Sequence, residues 1–445
     1  MGKLEKYSSF KDSGVEWLGE IPENWGVISI KRLMTLLTDY TANGSFADLA
    51  KYVQYLDEPN YAQLIRLTDI RKGFESKGGV YINEKSYKYL KKSSLFGGEL
   101  LMANVGAYSG HSFLLPEKLN FNASLAPNMF LIKFNNNQID NKLIYYILNS
   151  ATVLSRLVLI ATSTAQPKLN KDNVRSIFIP IPPKNEQLKI ASFLDEKTAQ
   201  IDEVISQKQK LIELLKERKQ IVINDAVTKG LDKDVEFVDS GFEWIGNIPK
   251  HWEIKKLKYV FKEINERSET GEEELLSLSK YQGVIPKSSL EERAGMAKTL
   301  VGYKKVYKND LVINKMQAVN GLLAVSKIEG ITSPDYAVYR TISDKYNIDY
   351  YGNLLSQSVY LSEFKKVVTG VMEGFIRLYT DDLYNIIVQV PPKDEQLQIV
   401  EHIENQTTKI DKAIELQQNY ISKLKEYKVS LIDSVVTGKV KVYCD

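Results

Sequence analysis

A chain of 445 residues is longer than one ordinary core organises and points to two to four domains. Its 43% apolar and 26% charged content is that of a globular protein, and a net charge of +3 neither requires nor forbids nucleic acid, because a local basic surface matters more than the total. The lone cysteine, Cys444, excludes disulfides and cysteine metal sites within one chain; no run of about 18 apolar residues predicts a membrane span; and the start, MGKLEKYSSFKDSG, lacks the apolar core of a secretory leader.

Taken in chain order, the first half reads as mixed α and β. QLIRLTDI (63–70), ELLMANV (99–105), MFLIKF (129–134) and SIFIPIP (176–182) are short, apolar and β-prone. Residues 139–158 have helical spacing, with Asp140 as a cap, and 348–368 are their counterpart in the second half. Residues 184–229 and 393–437 contain neither Pro nor Gly and predict two long helices, which at about 1.5 Å per residue could each reach roughly 65 Å. Each follows Pro-Pro; Asn185 and Asp394 are expected as N-caps, and Gly230 and Gly438 as stops.

The chain is an internal duplication. DSGVEWLGEIPENW (12–25) returns as DSGFEWIGNIPKHW (239–252), with nine of fourteen residues identical. FGGELLMANVGAYSG (96–110) is echoed by YKNDLVINKMQAVNG (307–321), and LNKDNVRSIFIPIPP (169–183) by LYTDDLYNIIVQVPP (378–392). PPKNEQLKI (182–190) returns 209 positions later as PPKDEQLQI (391–399). The interiors 27–95 and 253–306 barely align, which suggests related modules with different tasks.

Heptad spacing gives the long helices two candidate seams. In the first helix the apolar seam residues are Ile190, Leu194, Ile201, Val204, Leu211, Leu215 and Val222, interrupted by Lys197, Lys208 and Arg218. In the second they are Ile399, Ile403, Ile410, Ala413, Tyr420, Leu424, Tyr427 and Leu431, with Gln406 and Gln417 aligned to Lys197 and Lys208. A pseudo-twofold would make the helices antiparallel, a coiled-coil rod with a globular unit at each end. The expected fold class is therefore α+β: two mixed α/β domains joined by two long antiparallel helices. The expected boundaries are 1–183, 184–230, 231–392 and 393–445.

Catalytic signatures are missing. The three histidines, His111, His251 and His402, lack metal-ligand spacing, and no phosphate-binding Gly loop, nucleophile elbow or adenine-methyltransferase tetrapeptide occurs. Nucleic-acid chemistry has more support. IRLTDIRKGFESKGG (65–79) carries Arg66, Arg71, Lys72 and Lys77; MANVGAYSGHS (102–112) offers Asn104, Tyr108 and Ser109. NKMQAVNG (314–321) offers Lys315, Gln317 and Asn320, and SLSKYQGVIPKSS (277–289) offers Lys280, Tyr281 and Gln282. Basic loops on a β scaffold reach phosphates, and Arg, Asn, Gln and Ser read base edges.

The duplicated order of the DSG-E-W-x-G motifs, the GELLMANVGAYSG and NDLVINKMQAVNG segments and the two PPK-x-EQL helix starts resembles the specificity subunit of type I restriction-modification systems, over nearly the whole chain. The resemblance implies two target-recognition domains that each read half of an asymmetric split site in double-stranded DNA. It implies no catalysis by the chain itself. Its partners would be two methyltransferase subunits, using S-adenosylmethionine to methylate adenine N6, and a restriction subunit driven by ATP with Mg. A bacterial or archaeal cytoplasm follows, with no membrane partner. Lys168, Asn170 and Arg377 join the expected DNA contacts by position, although GVMEGFIRL in the second half departs from TSTAQPKL in the first. A stand-alone two-headed DNA-binding regulator and a coiled-coil scaffold without DNA remain the alternatives.

Overall fold

In the computed structural model, which describes residues 5–73, 78–161, 166–280, 282–290, 299–368 and 376–442, MFLIKF becomes strand Met129–Phe134 inside a four-stranded antiparallel sheet. Its neighbours are Leu100–Ala103 and Met34–Asp39, with Ser112–Leu114 beyond the former. The pleat sends successive side chains to opposite faces. Leu100, Met102, Phe130 and Ile132 join one core, while Leu101, Met129 and Leu131 join another beneath a five-stranded sheet that includes Ala62–Ile65 and Asn122–Leu125. With both faces covered, the strands read as continuous apolar runs rather than alternating ones.

Contacts divide the chain into two units, Met1–Lys208 with Gln418–Asp445, and Gln209–Gln417. The second has its own four-stranded sheet: Phe261–Ile264, Tyr336–Thr341, Leu311–Asn314, Leu323–Val325 in spatial order. That is the strand order of the first unit, so the duplication extends to topology. The interiors differ: two two-stranded ladders, Leu276–Ser279 with Gly283–Pro286 and Lys304–Val306 with Gly330–Thr332, stand where the first unit has five strands.

Three expectations need adjustment. QLIRLTDI is a strand only to Ile65; Leu67–Arg71 is a short helix. Segment 139–158 is two helices, Asn141–Leu148 and Ala151–Ile160, because Ser150 breaks the first and caps the second by accepting from Val153 N. Its counterpart splits likewise into Ile348–Leu355 and Ser358–Val367. Asp140 caps as expected, accepting from Lys142 and Leu143 N. Among the described residues no single helix is long and apolar enough to cross a membrane.

The long helices are α1 (Lys184–Lys229) and α2 (Lys393–Val436). The cap residues differ from expectation. Pro183 O accepts from Glu186 N and Pro392 O from Gln396 N, so Asn185 and Asp394 lie inside the first turn and are exposed. The work common to both copies of the phrase falls to Glu and Gln. Buried Glu186 accepts from Trp25 Nε1 at 3.0 Å, Asn24 Nδ2 at 2.7 Å and Tyr7 OH at 3.3 Å. Glu395 accepts from Trp252 Nε1 at 3.0 Å and His251 Nε2 at 2.8 Å. Gln187 Nε2 donates to the carbonyls of Pro182 and Gln138 while its Oε1 accepts from Asp140 N; Gln396 does the same with Pro391, Lys345 and Asn347. Each phrase thereby fastens a helix start to the globular domain before it.

Each core contains the start of one long helix and the end of the other, as antiparallel pairing requires. The first holds Ile190, Leu194 and Ile201 of α1 with Leu431, Val435 and Val436 of α2; the second holds Ile223, Ala226 and Val227 with Ile399, Val400 and Ile403. The expected row through Leu194, Ile201, Leu215 and Val222 faces inward, as does that through Ile403, Ile410, Leu424 and Leu431. The companion row is displaced by one residue. Val204 (39% exposed), Leu211 (40%), Tyr420 (45%) and Tyr427 (36%) lie outside, whereas Ile212 (2%) and Ile421 (7%) are buried; Ala413 is half-buried. The inner companion runs four residues after the first row rather than three: Thr198, Ile205, Ile212, Lys219, Ala226 and, in α2, Thr407, Ile414, Ile421, Lys428, Val435.

Its lysines are paired. Lys219 Nζ meets Asp411 at 2.7 Å, and Lys428 Nζ meets Asp202 at 2.6 Å. Asp202 and Asp411, like Lys219 and Lys428, are 209 positions apart, so the two bridges are duplication mates. A double-mutant cycle on Asp202 and Lys428, read by urea unfolding, is expected to give a coupling of about 0.5 kcal/mol, modest because the carboxylate is well solvated. Glu186→Ala, which strands the buried indole N–H of Trp25, is expected to lower stability by about 2 kcal/mol in the same assay.

Candidate nucleic-acid interface

In both units the loop after the second sheet strand sits at an equivalent place and is fastened the same way. Leu169 N donates to Asn104 O at 2.8 Å in the first unit, and Leu378 N to Lys315 O at 2.9 Å in the second. The first loop gains a further bond, Gly106 N to Pro167 O at 2.9 Å, and a bridge between Val105 and Lys168. Each loop ends at a left-handed glycine, Gly110 (φ 92°) or Gly321 (φ 80°), packed against the following helix pair. A Cβ on Gly110 would lie 3.2 Å from Leu157 Cβ, and one on Gly321 3.2 Å from Leu361 Cδ1. Positive φ and close approach together call for glycine here.

In the first unit the expected contacts, on this loop, on the helix Leu67–Arg71 and before the helix Lys171–Arg175, are in different states. Arg71 and Lys72 are exposed, and Tyr108 is half-buried, with the Arg71 guanidinium 4.3 Å from its ring centre. Arg66 is engaged internally. Its Nε and Nη2 reach both oxygens of fully buried Asp69 at 2.9 and 2.7 Å, a hydrogen-bonded pairing that raises the guanidinium's pKa, and Nη2 also reaches Gly78 O. Ser109 is buried, and its hydroxyl has no partner among the described residues; Asn104 Oδ1 is likewise buried without one. Lys168 is exposed, while Asn170 spends its side chain capping the helix Lys171–Arg175 through Asn173 N at 2.7 Å. Lys77 and Tyr281 fall outside the described residues.

In the second unit Lys280 and Gln282 are exposed in the turn joining Leu276–Ser279 to Gly283–Pro286. Gln317 and Asn320 are exposed and hydrogen-bonded to each other at 2.7 Å. Arg377 pairs with Asp335 at 3.5 Å. Lys315 is drawn inward: its Nζ lies 3.7 Å from Glu263 Oε1, which also meets Lys304 Nζ at 3.0 Å. Thr380 donates to the other Glu263 oxygen at 2.5 Å. Lys304 is almost wholly buried, so Glu263 supplies its counter-charge. This cluster escaped sequence reading because Glu263, Lys304 and Lys315 are far apart in the chain and only the strand order unites them.

Residues 22–214 match the family model described as the type I restriction modification DNA specificity domain. The type I restriction enzyme MjaVIII specificity subunit of Methanocaldococcus jannaschii is 23% identical over 447 residues, covering 95% of this chain and 94% of that one. Over these spans the chain is similar to type I DNA specificity subunits. Two solved structures share the fold of this chain. One comes from work on complex assembly and conformational transition of the type I R-M system, with TM-score 0.66 and 15% identity, covering 94% of this chain and 99% of the other. The HsdS subunit from Thermoanaerobacter tengcongensis matches with TM-score 0.53 and 15% identity over 94% and 98%.

Burial pushes the Glu263 carboxyl up, but the bonds from Thr380 and Lys304 and the charges of Lys304 and Lys315 outweigh it and hold the group below its ordinary 4.5. A depressed carboxylate contributes stability that is present above the unfolded value and lost as pH falls through the folded one. The stability that Glu263 contributes is therefore expected to be lost as pH falls below the ordinary glutamate value of 4.5. Glu263→Gln should start less stable at neutral pH, because Lys304 loses its counter-charge, and show a flatter acid limb by circular dichroism.

Proposed function

We propose that the chain is the DNA-recognition subunit of a type I restriction-modification system, reading an asymmetric bipartite site and directing its partners there. The partners are two methyltransferase subunits, which act on adenine N6 with S-adenosylmethionine, and an ATP- and Mg-dependent restriction subunit. The observation that carries this reading is the duplication itself. Two sheets of identical strand order present loops at the same place, fastened by the same backbone bond, yet armed with different side chains: Tyr108, beside Lys168, against Gln317 and Asn320. One scaffold carrying two reading surfaces suits a site whose halves differ. Phosphate contacts fix register, and base-edge contacts give sequence. No step of methyl transfer is assigned to this chain; its part is recognition.

Co-expression with the partner methyltransferase, followed by genome-wide mapping of N6-methyladenine, tests the reading. One bipartite motif is expected, and exchange of residues 27–180 with those of a relative should alter only one of its halves. A complex with active methyltransferase that adds no methylation would overturn the proposal. Tight, specific duplex binding by the chain alone, with no methyltransferase complex, would instead favour a stand-alone regulator.

A further inference from the structure

Two arginines five residues apart flank the short helix Leu67–Arg71, and they have opposite surroundings. Arg66 is locked to buried Asp69 through two nitrogens, which fixes the helix where it leaves the sheet. Arg71, at the other end, is exposed, and no carboxylate among the described residues pairs with it. Its guanidinium instead lies 4.3 Å from the ring centre of Tyr108. Tyr108 is itself held in the tight turn between Gly106 and Gly110: His111 N donates to its carbonyl at 2.9 Å, and its ring packs edge-on to His111 with centroids 5.4 Å apart.

Stacking occupies the face of a guanidinium and leaves its edge, which carries the N–H fork, free to bond in plane. Such a fork matches the O6 and N7 acceptors of guanine in the major groove, the commonest specific contact of arginine with DNA. The second unit has Val319 at the position of Tyr108, so the stack belongs to the first unit alone. Resting on the recognition function proposed above, we propose that Arg71, positioned by Tyr108, reads a guanine in the half-site bound by the first unit. Arg66 then acts as a positioning residue rather than a contact.

The test uses the complex of the full chain with its methyltransferase and duplexes of the mapped site. Arg71→Ala and Arg71→Lys should both accept any base at one guanine position of that half-site and keep their preferences elsewhere. Replacing this guanine by 7-deazaguanine, which lacks the N7 acceptor, should weaken wild-type binding by roughly 5- to 150-fold and leave Arg71→Ala unaffected. Tyr108→Ala should lose part of the same discrimination, and Tyr108→Phe should keep it. The assignment is overturned if Arg71→Lys discriminates as the wild type does. It is also overturned if Arg71→Ala weakens every duplex alike while the salt slope drops by about one, the signature of a phosphate contact. A wild-type complex that marks no bipartite site would overturn the recognition reading itself, whereas a mapped site whose guanine preference survives in Arg71→Ala removes only the role of Arg71.

Discussion

A carboxylate at the first turn of each long helix, buried in Glu186 and half-buried in Glu395, organises the rest of its unit. Glu186 collects the indole N–H of Trp25 and two further donors, and Glu395 collects Trp252 and His251. Taking a carboxylate out of water is costly unless its oxygens are satisfied. Here the donors come from the DSG-E-W-x-G motif, far away in sequence, and the helix N-terminus adds favourable potential. The helix start and the motif can therefore meet their polar needs only together. Since Asn24 and His251 occupy the same motif position, the arrangement tolerates a change of donor while keeping the carboxylate and the tryptophan.

The clamp fixes where each helix leaves its domain, and packing decides which face it buries. In the inner companion row Thr, Ile, Ile and Lys recur identically 209 positions apart, with Ala226 answered by Val435. The row outside, with Val204, Leu211, Ala413, Tyr420 and Tyr427, matches poorly between the halves. Apolar character barely separates the two rows, since the outer one holds Lys197 and Arg218 and the inner one Lys219 and Lys428. The aliphatic stems of the inner lysines pack inside while the charged ends reach Asp411 and Asp202. Repetition is thus a better guide to the seam than apolar character.

Recognition surfaces differ in how much charge they leave unspent. In the first unit Arg66 is consumed by Asp69 and Arg71 stands clear on Tyr108. In the second, Lys315 occupies the equivalent loop yet turns toward Glu263, leaving Gln317 and Asn320 outermost. A matching loop position therefore does not mean matching chemistry.

The sequence by itself determined the duplication, the mixed α/β class, the two long helices and the loops in corresponding places. These are carried by local signals: apolar runs, Pro-Pro and Gly punctuation, and repeated motifs. Tertiary structure alone decided the rest. It moved the helix caps from Asn185 and Asp394 to the preceding prolines, turned Glu186 and Gln187 into the fastening residues, and shifted the companion seam by one residue. It also separated Arg71 from Arg66, buried Ser109 and turned Lys315 toward Glu263, though their residue types suit DNA. The physical reason is common to all of these: a polar side chain's role depends on which partner comes within hydrogen-bonding distance, and those partners are brought together from distant parts of the chain.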